Sequence, residues 1–81
     1  MYKNRYGDRN NICGEKIRNL RLSSIPILSQ KQLADKMQLC GIDLDKNAIQ
    51  RIESGKRFIT DIELKGFADC FGIDISDLFQ S

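Results

Sequence analysis

Histidine is absent from the 81 residues, proline occurs once, as Pro26, and cysteine occurs three times. With no imidazole, and with Cys13, Cys40 and Cys70 far apart and never in Cys-x-x-Cys spacing, a zinc site cannot be assembled from the usual ligands. Scattered thiols of odd number read as small buried side chains in a reducing cytoplasm rather than as ligands or nucleophiles. The chain also lacks a glycine-rich phosphate loop and paired carboxylates in a plausible pocket, and is too short to enclose a substrate, so the sequence does not read as an enzyme. No cofactor or metal is expected.

Long apolar runs are missing as well. The longest, "IPIL", is far too short to cross a membrane, and the opening "MYKNRYGDRN" is charged where a secretory signal needs an apolar segment. The expectation is a cytoplasmic protein with no membrane partner. Nothing repeats, nothing is low in complexity, and no run of alternating β-branched residues is long enough for a sheet. The fold class is therefore all-α, in one domain with one small core.

What is present is charge, unevenly placed. Residues 1–57 hold twelve Lys and Arg against six acids, net +6, while residues 58–81 hold one Lys against five acids, net −4. One part of the molecule suits a polyanion and the other does not.

Five helices can be traced from apolar periodicity and end signals. The first spans about Ile12 to Leu22, with Cys13, Ile17 and Leu20 on one face and Asn10 or Asn11 as its cap; it stops at "SSIPIL". Ser29 and Gln32 form a capping box for the second, whose inner face is Leu33, Ala34, Met37 and Cys40 and whose stop is Gly41. The third runs from Asp45, its cap, to about Ser54, closed by Gly55. Thr60 and Glu63 are the capping box of the fourth, which buries Leu64, Phe67, Ala68 and Phe71 and ends at Gly72. "ISDLFQ" makes one more short helix, with Ser76 as cap and Leu78 and Phe79 turned inward or toward a partner chain.

The third helix poses the functional question. Ala48, Ile49 and Ile52 occupy one side, while Asn47, Gln50, Arg51 and Ser54 recur at i, i+3, i+4, i+7 on the other. A solvated face would carry mixed Glu and Lys; this one carries amides and a guanidinium. Arg can bond guanine and Asn or Gln can bond adenine in two places at a major-groove edge, so the stripe holds the inventory of a base reader.

"LSQKQLADKM", "AIQRIESGKR" and "ELKGFADCFGIDISDLF" together resemble the Cro and phage-repressor type of helix-turn-helix family, also called Xre-like or lambda-repressor-like. The resemblance covers about Ile12 to Phe79 and rests on Gln30, Leu33, Ala34, Ile49, Ile52, Glu53, Gly55, Lys56 and Gly72. It implies a compact five-helix bundle whose third helix enters the DNA major groove, a sequence-specific transcriptional regulator acting as a repressor, and a homodimer on a palindromic double-stranded operator. Base reading falls on Lys46, Asn47, Gln50 and Arg51. Gln30, with Ser29 and the adjoining helix N-terminus, grips phosphate and braces the third helix. Lys56 and Arg57, directly after Gly55, contact phosphate at the groove edge. Glu53 pairs with Arg21 of the first helix in a structural ion pair. Two departures accompany the match: a long turn, "GIDL" if the second helix reaches Cys40, and no proline in "KRFITDIEL".

Asp43 and Asp45 read as local capping residues near the groove. Residues 1–11, with Lys3, Arg5 and Arg9, form a basic arm that either reaches DNA or frays, ahead of a helix-turn-helix domain at 12–81. The alternative from another class is a protein-interaction module, such as the antitoxin of a toxin–antitoxin pair; the basic bias of residues 1–57 favours DNA.

Overall fold

A computed structural model of the chain describes residues 7–80. Among them the backbone forms α1 (Gly14–Ser23), α2 (Gln30–Leu39), α3 (Lys46–Glu53), α4 (Asp61–Phe71) and a 3₁₀ helix, Ile75–Phe79, with no strand. The fold is all-helical, but the expected five-helix count resolves into four α-helices and one 3₁₀ segment. Five residues are too few to sustain an α ladder, and the Asp77 N–H instead reaches the carbonyl of Asp74. That segment starts at Ile75, one residue ahead of Ser76, and the flanking Asp74 gives it no side-chain cap.

The helix starts follow local chemistry. Both capping boxes form: Ser29 Oγ accepts from the Gln32 N–H while Gln32 reaches back to the Ser29 N–H, and Thr60 and Glu63 do the same for α4. Asp45 accepts from the Ala48 N–H at 2.8 Å and so starts α3. At α1 the flanking residue Cys13 supplies no cap, and Asn11 Oδ1 accepts from the Gly14 N–H at 2.8 Å. The helix accordingly begins two residues later than its apolar period suggests.

The core is built from every element. Cys13, Ile17, Leu33, Ala34, Met37, Leu44, Ile49, Ile52, Phe67, Ala68 and Leu78 are buried, and Leu20, Leu64, Phe71 and Cys70 pack against them partly buried. Each of the larger side chains contributes about 1.5–3 kcal/mol of transfer free energy. Cys40, assigned from the sequence to the inner face of α2, is exposed. The reason is the backbone: α2 stops at Leu39, Gly41 takes φ +83°, and the Gly41 and Ile42 N–H groups return to the carbonyls of Gln38 and Met37. This is a Schellman ending, which makes Cys40 the last residue before the chain turns away, with no further turn of α2 to cover it.

The link from α2 to α3 is thus Cys40 to Asp45, longer than "GIDL". Leu44 plugs it into the core, and Gln38 Nε2 donates to the Leu44 carbonyl at 3.2 Å. Opposite, the first turn of α1 lies directly on the last turn of α3. A Cβ on Gly14 would run into the Ile52 carbonyl oxygen, so only glycine permits this approach.

Candidate nucleic-acid interface

α3 is held from its inner face and its C-terminal end, which leaves its outer face open. Ile49 and Ile52 are fully buried. Glu53, on the flank, receives two bonds from Arg21, Nε to Oε2 at 2.7 Å and Nη2 to Oε1 at 2.9 Å, and a third from Gln30 Nε2 at 3.1 Å. The Arg21 and Glu53 side chains are only 10% and 4% exposed. Arg21 Nη1 also donates to the Leu28 carbonyl at 2.9 Å, which ties the α1–α2 loop into the same junction. Donating to the Glu53 carboxylate raises the Arg21 pKa against the opposing effect of burial, so the guanidinium stays charged.

The end of α3 is clamped by residues from the chain's start. The Gly55 N–H returns to the Ile52 carbonyl and the Lys56 N–H to that of Arg51, a second Schellman ending with Gly55 at φ +81°. Arg9 Nη2 donates to the Glu53 carbonyl at 2.8 Å and its side chain lies over Gly55. Asn11 Nδ2 donates to the carbonyls of Ile52 at 3.0 Å and Arg57 at 2.7 Å. Asn10 donates its N–H to the Gly55 carbonyl at 2.7 Å and Nδ2 to that of Lys56 at 3.1 Å. Residues 9–11 therefore belong to the helical body rather than to a loose arm; Lys3 and Arg5 lie outside the described residues. The sequence signals only the capping asparagine, because the carbonyls these groups meet lie more than forty residues away.

On the outer face Lys46, Asn47, Gln50 and Arg51 are exposed. No hydrogen bond or ion pair within the described residues occupies their side chains, whereas the amides and guanidinium groups around the helix are bonded inward. Ser54, at the end of the stripe, folds back to the Arg51 carbonyl at 3.2 Å. A shallow cleft of about 340 Å³ opens beside the start of α3, lined by Asp45, Asn47, Ala48, Arg51 and Arg57.

Three residues named from the sequence have internal work. Ser29 is exposed and engaged in its capping box, and Gln30 spends a donor on Glu53, so the brace to α3 runs through that carboxylate. Arg57 does not extend freely beyond the helix. It forks onto Glu63, Nη1 to Oε1 at 2.9 Å and Nη2 to Oε2 at 3.0 Å, and Nη1 also reaches the Phe58 carbonyl. Burial pushes the Glu63 carboxyl up, but the bonds from Arg57 and Thr60 outweigh it and hold the group below its ordinary value. Arg57 thereby ties the loop after α3 to the start of α4, and Lys56 alone of the two projects into solvent.

Two helices joined through a turn, the second anchored on one side and offering a polar, cation-bearing stripe on the other, define a helix-turn-helix DNA-binding module. A comparison with protein families agrees: residues 17–78 match the profile of HTH_3, helix-turn-helix. The chain belongs to this family of DNA-binding regulators, the Xre and lambda-repressor-like group. Comparisons with curated proteins and with solved structures return no match. No helix among the described residues is long and apolar enough to cross a membrane.

Proposed function

We propose that the protein is a sequence-specific transcriptional repressor that lays α3 in the major groove of double-stranded DNA and acts by occupying an operator. The observation that carries this is the contrast on α3, where one face and the C-terminal end are bonded throughout while Lys46, Asn47, Gln50 and Arg51 stand exposed without partners. Asn47 and Gln50 carry the paired donor and acceptor that match adenine, and Arg51 the fork that matches guanine. Lys46 and Lys56 meet phosphate at either end of the helix, and the N–H groups at the start of α2, beside Ser29 and Gln30, receive another. Arg57 supports this surface through Glu63.

One domain of this size makes too few base contacts for useful specificity, so two copies bind a palindromic site. Ile12 and Phe79, both about half exposed beside a groove of about 400 Å³ that Glu15, Lys16, Asn19 and Gln80 also line, supply the apolar contact between them. The protein acts in the cytoplasm, on DNA, without catalysis. Selection from a random duplex pool should yield a two-fold symmetric motif, with log K falling against log salt by about 0.9 per phosphate neutralised. Recovery of no motif, together with affinity that stays flat as salt rises, would overturn the proposal and favour a protein partner.

A further inference from the structure

Cys40 and Cys70 are thirty residues apart, yet their sulfurs lie 3.7 Å from one another. Cys40 sits at the end of α2, where the turn toward α3 begins, and Cys70 lies in the last turn of α4. We propose that they form a redox-active dithiol, in which Cys40 is oxidised by a small hydroperoxide and Cys70 resolves it to an intramolecular disulfide.

The geometry divides the roles. Cys40 is exposed, so a small oxidant reaches its sulfur directly, whereas Cys70 is partly buried behind it and points a second contact at the Met37 sulfur, 3.4 Å away. Burial, with the hydrogen bond to Cys40 adding to it, pushes the Cys70 thiol up to about 11, while Lys36 pulls the other way. A thiol held protonated is the poorer nucleophile toward peroxide, which leaves the first step to the exposed Cys40; Cys70 takes the second by its place 3.7 Å from the Cys40 sulfur. Cys13 is buried in the core and takes no part.

In the first step the Cys40 thiolate attacks one peroxide oxygen. The S–O bond forms, the O–O bond breaks, and the departing oxygen takes up the proton the thiol shed on ionising and leaves as water from hydrogen peroxide, or as the alcohol from an organic hydroperoxide; sulfur is oxidised by two electrons and the peroxide is reduced. In the second, Cys70 Sγ attacks Cys40 Sγ, the S–S bond forms, the S–OH bond breaks, and hydroxide leaves with the Cys70 proton as a second water. Reaching a disulfide length of about 2.05 Å asks the sulfurs to close by about 1.7 Å from 3.7 Å. The movement falls on Cys40, which lies beyond the helix end in an exposed turn.

The test treats the full chain with hydrogen peroxide at low protein concentration and reads intact mass and cross-linked peptides. The expected product is monomeric, lighter by about 2 Da, the two hydrogens lost on disulfide formation. It carries a Cys40–Cys70 linked peptide and is restored by dithiothreitol, with Cys13 still a free thiol. Cys70→Ser should stop at the first step and take up a sulfenic-acid trap at Cys40, and Cys40→Ser should give no cross-link. Disulfide-linked dimers, a bridge involving Cys13, or oxygen adducts without any Cys40–Cys70 link in the unaltered chain would each overturn the proposal.

Discussion

Replacing Arg21 by alanine should destabilise the fold by about 2–4 kcal/mol. The substitution removes both guanidinium bonds to Glu53 and the bond to the Leu28 carbonyl, and leaves Glu53 Oε1 with Gln30 alone and Oε2 with no protein donor. Breaking a buried pair by deleting one partner costs about 3–5 kcal/mol. The figure is lowered here because the junction lies near the surface, Arg21 being 10% exposed, and water can enter the space it vacates. At roughly 4–8 °C per kcal/mol for a domain of this size, the thermal midpoint should fall by about 10–25 °C. Calorimetry or circular-dichroism melting measures it directly. A cycle with Glu53→Ala and the double variant should give a coupling of about 2 kcal/mol, and Arg21→Lys, which keeps the charge but loses the fork, should fall between. An Arg21→Ala midpoint within about 3 °C of the unaltered protein would refute the reasoning, since it would mean that the carboxylate is solvated without its partner.

Asn11→Ala removes the α1 start and two long-range carbonyl bonds, and chemical denaturation should show a loss of about 1.5–3 kcal/mol. Gly14→Ala drives a methyl group into the Ile52 carbonyl and should cost at least about 2 kcal/mol, whereas an alanine at Lys16, on the same helix but partly exposed, should cost under about 0.5 kcal/mol by the same assay. Glu63 has its pKa depressed in the folded state, so its stabilisation is present above its unfolded value of about 4.3 and is lost as pH falls through the folded value. Arg57→Ala removes the largest source of that depression; acid titration should show unfolding moved to higher pH, with about 1 kcal/mol lost at pH 7. Because its fork is spent on Glu63, Arg57→Ala should also reduce the salt slope of DNA binding less than Lys56→Ala does.

The readable parts of the sequence are those whose cause is local. The capping boxes at Ser29 and Thr60, the Asp45 cap and the glycine stops each need only a few neighbouring residues, and all are present. The stripe on α3 is equally legible because a helical period of 3.6 sorts Ile49 and Ile52 from Asn47, Gln50 and Arg51 before any tertiary fact is known. Arg21 with Glu53 was reachable through family resemblance alone, since nothing local joins residues 32 positions apart. The clamp of Arg9, Asn10 and Asn11 on the end of α3 had no such guide. A basic, polar start to a chain reads the same whether it is bound or loose. The sequence places Arg57 beside Lys56 as a phosphate contact at the groove edge, and Glu63 in a capping box; that they meet depends on the path of the loop between them. Cys40 falls off the inner face because the apolar period runs one residue past Leu39, where α2 ends.

The most direct test of the reading-head account compares two duplexes, a selected operator and a scrambled sequence, each at two salt concentrations. Asn47→Ala and Arg51→Ala should each weaken operator binding by about 5- to 150-fold more than binding to the scrambled duplex, the worth of a paired base contact of about 1–3 kcal/mol. Lys56→Ala should weaken both alike and lower the salt slope by about one unit. If Asn47→Ala and Arg51→Ala instead reduce both affinities equally, the exposed face of α3 does not read sequence.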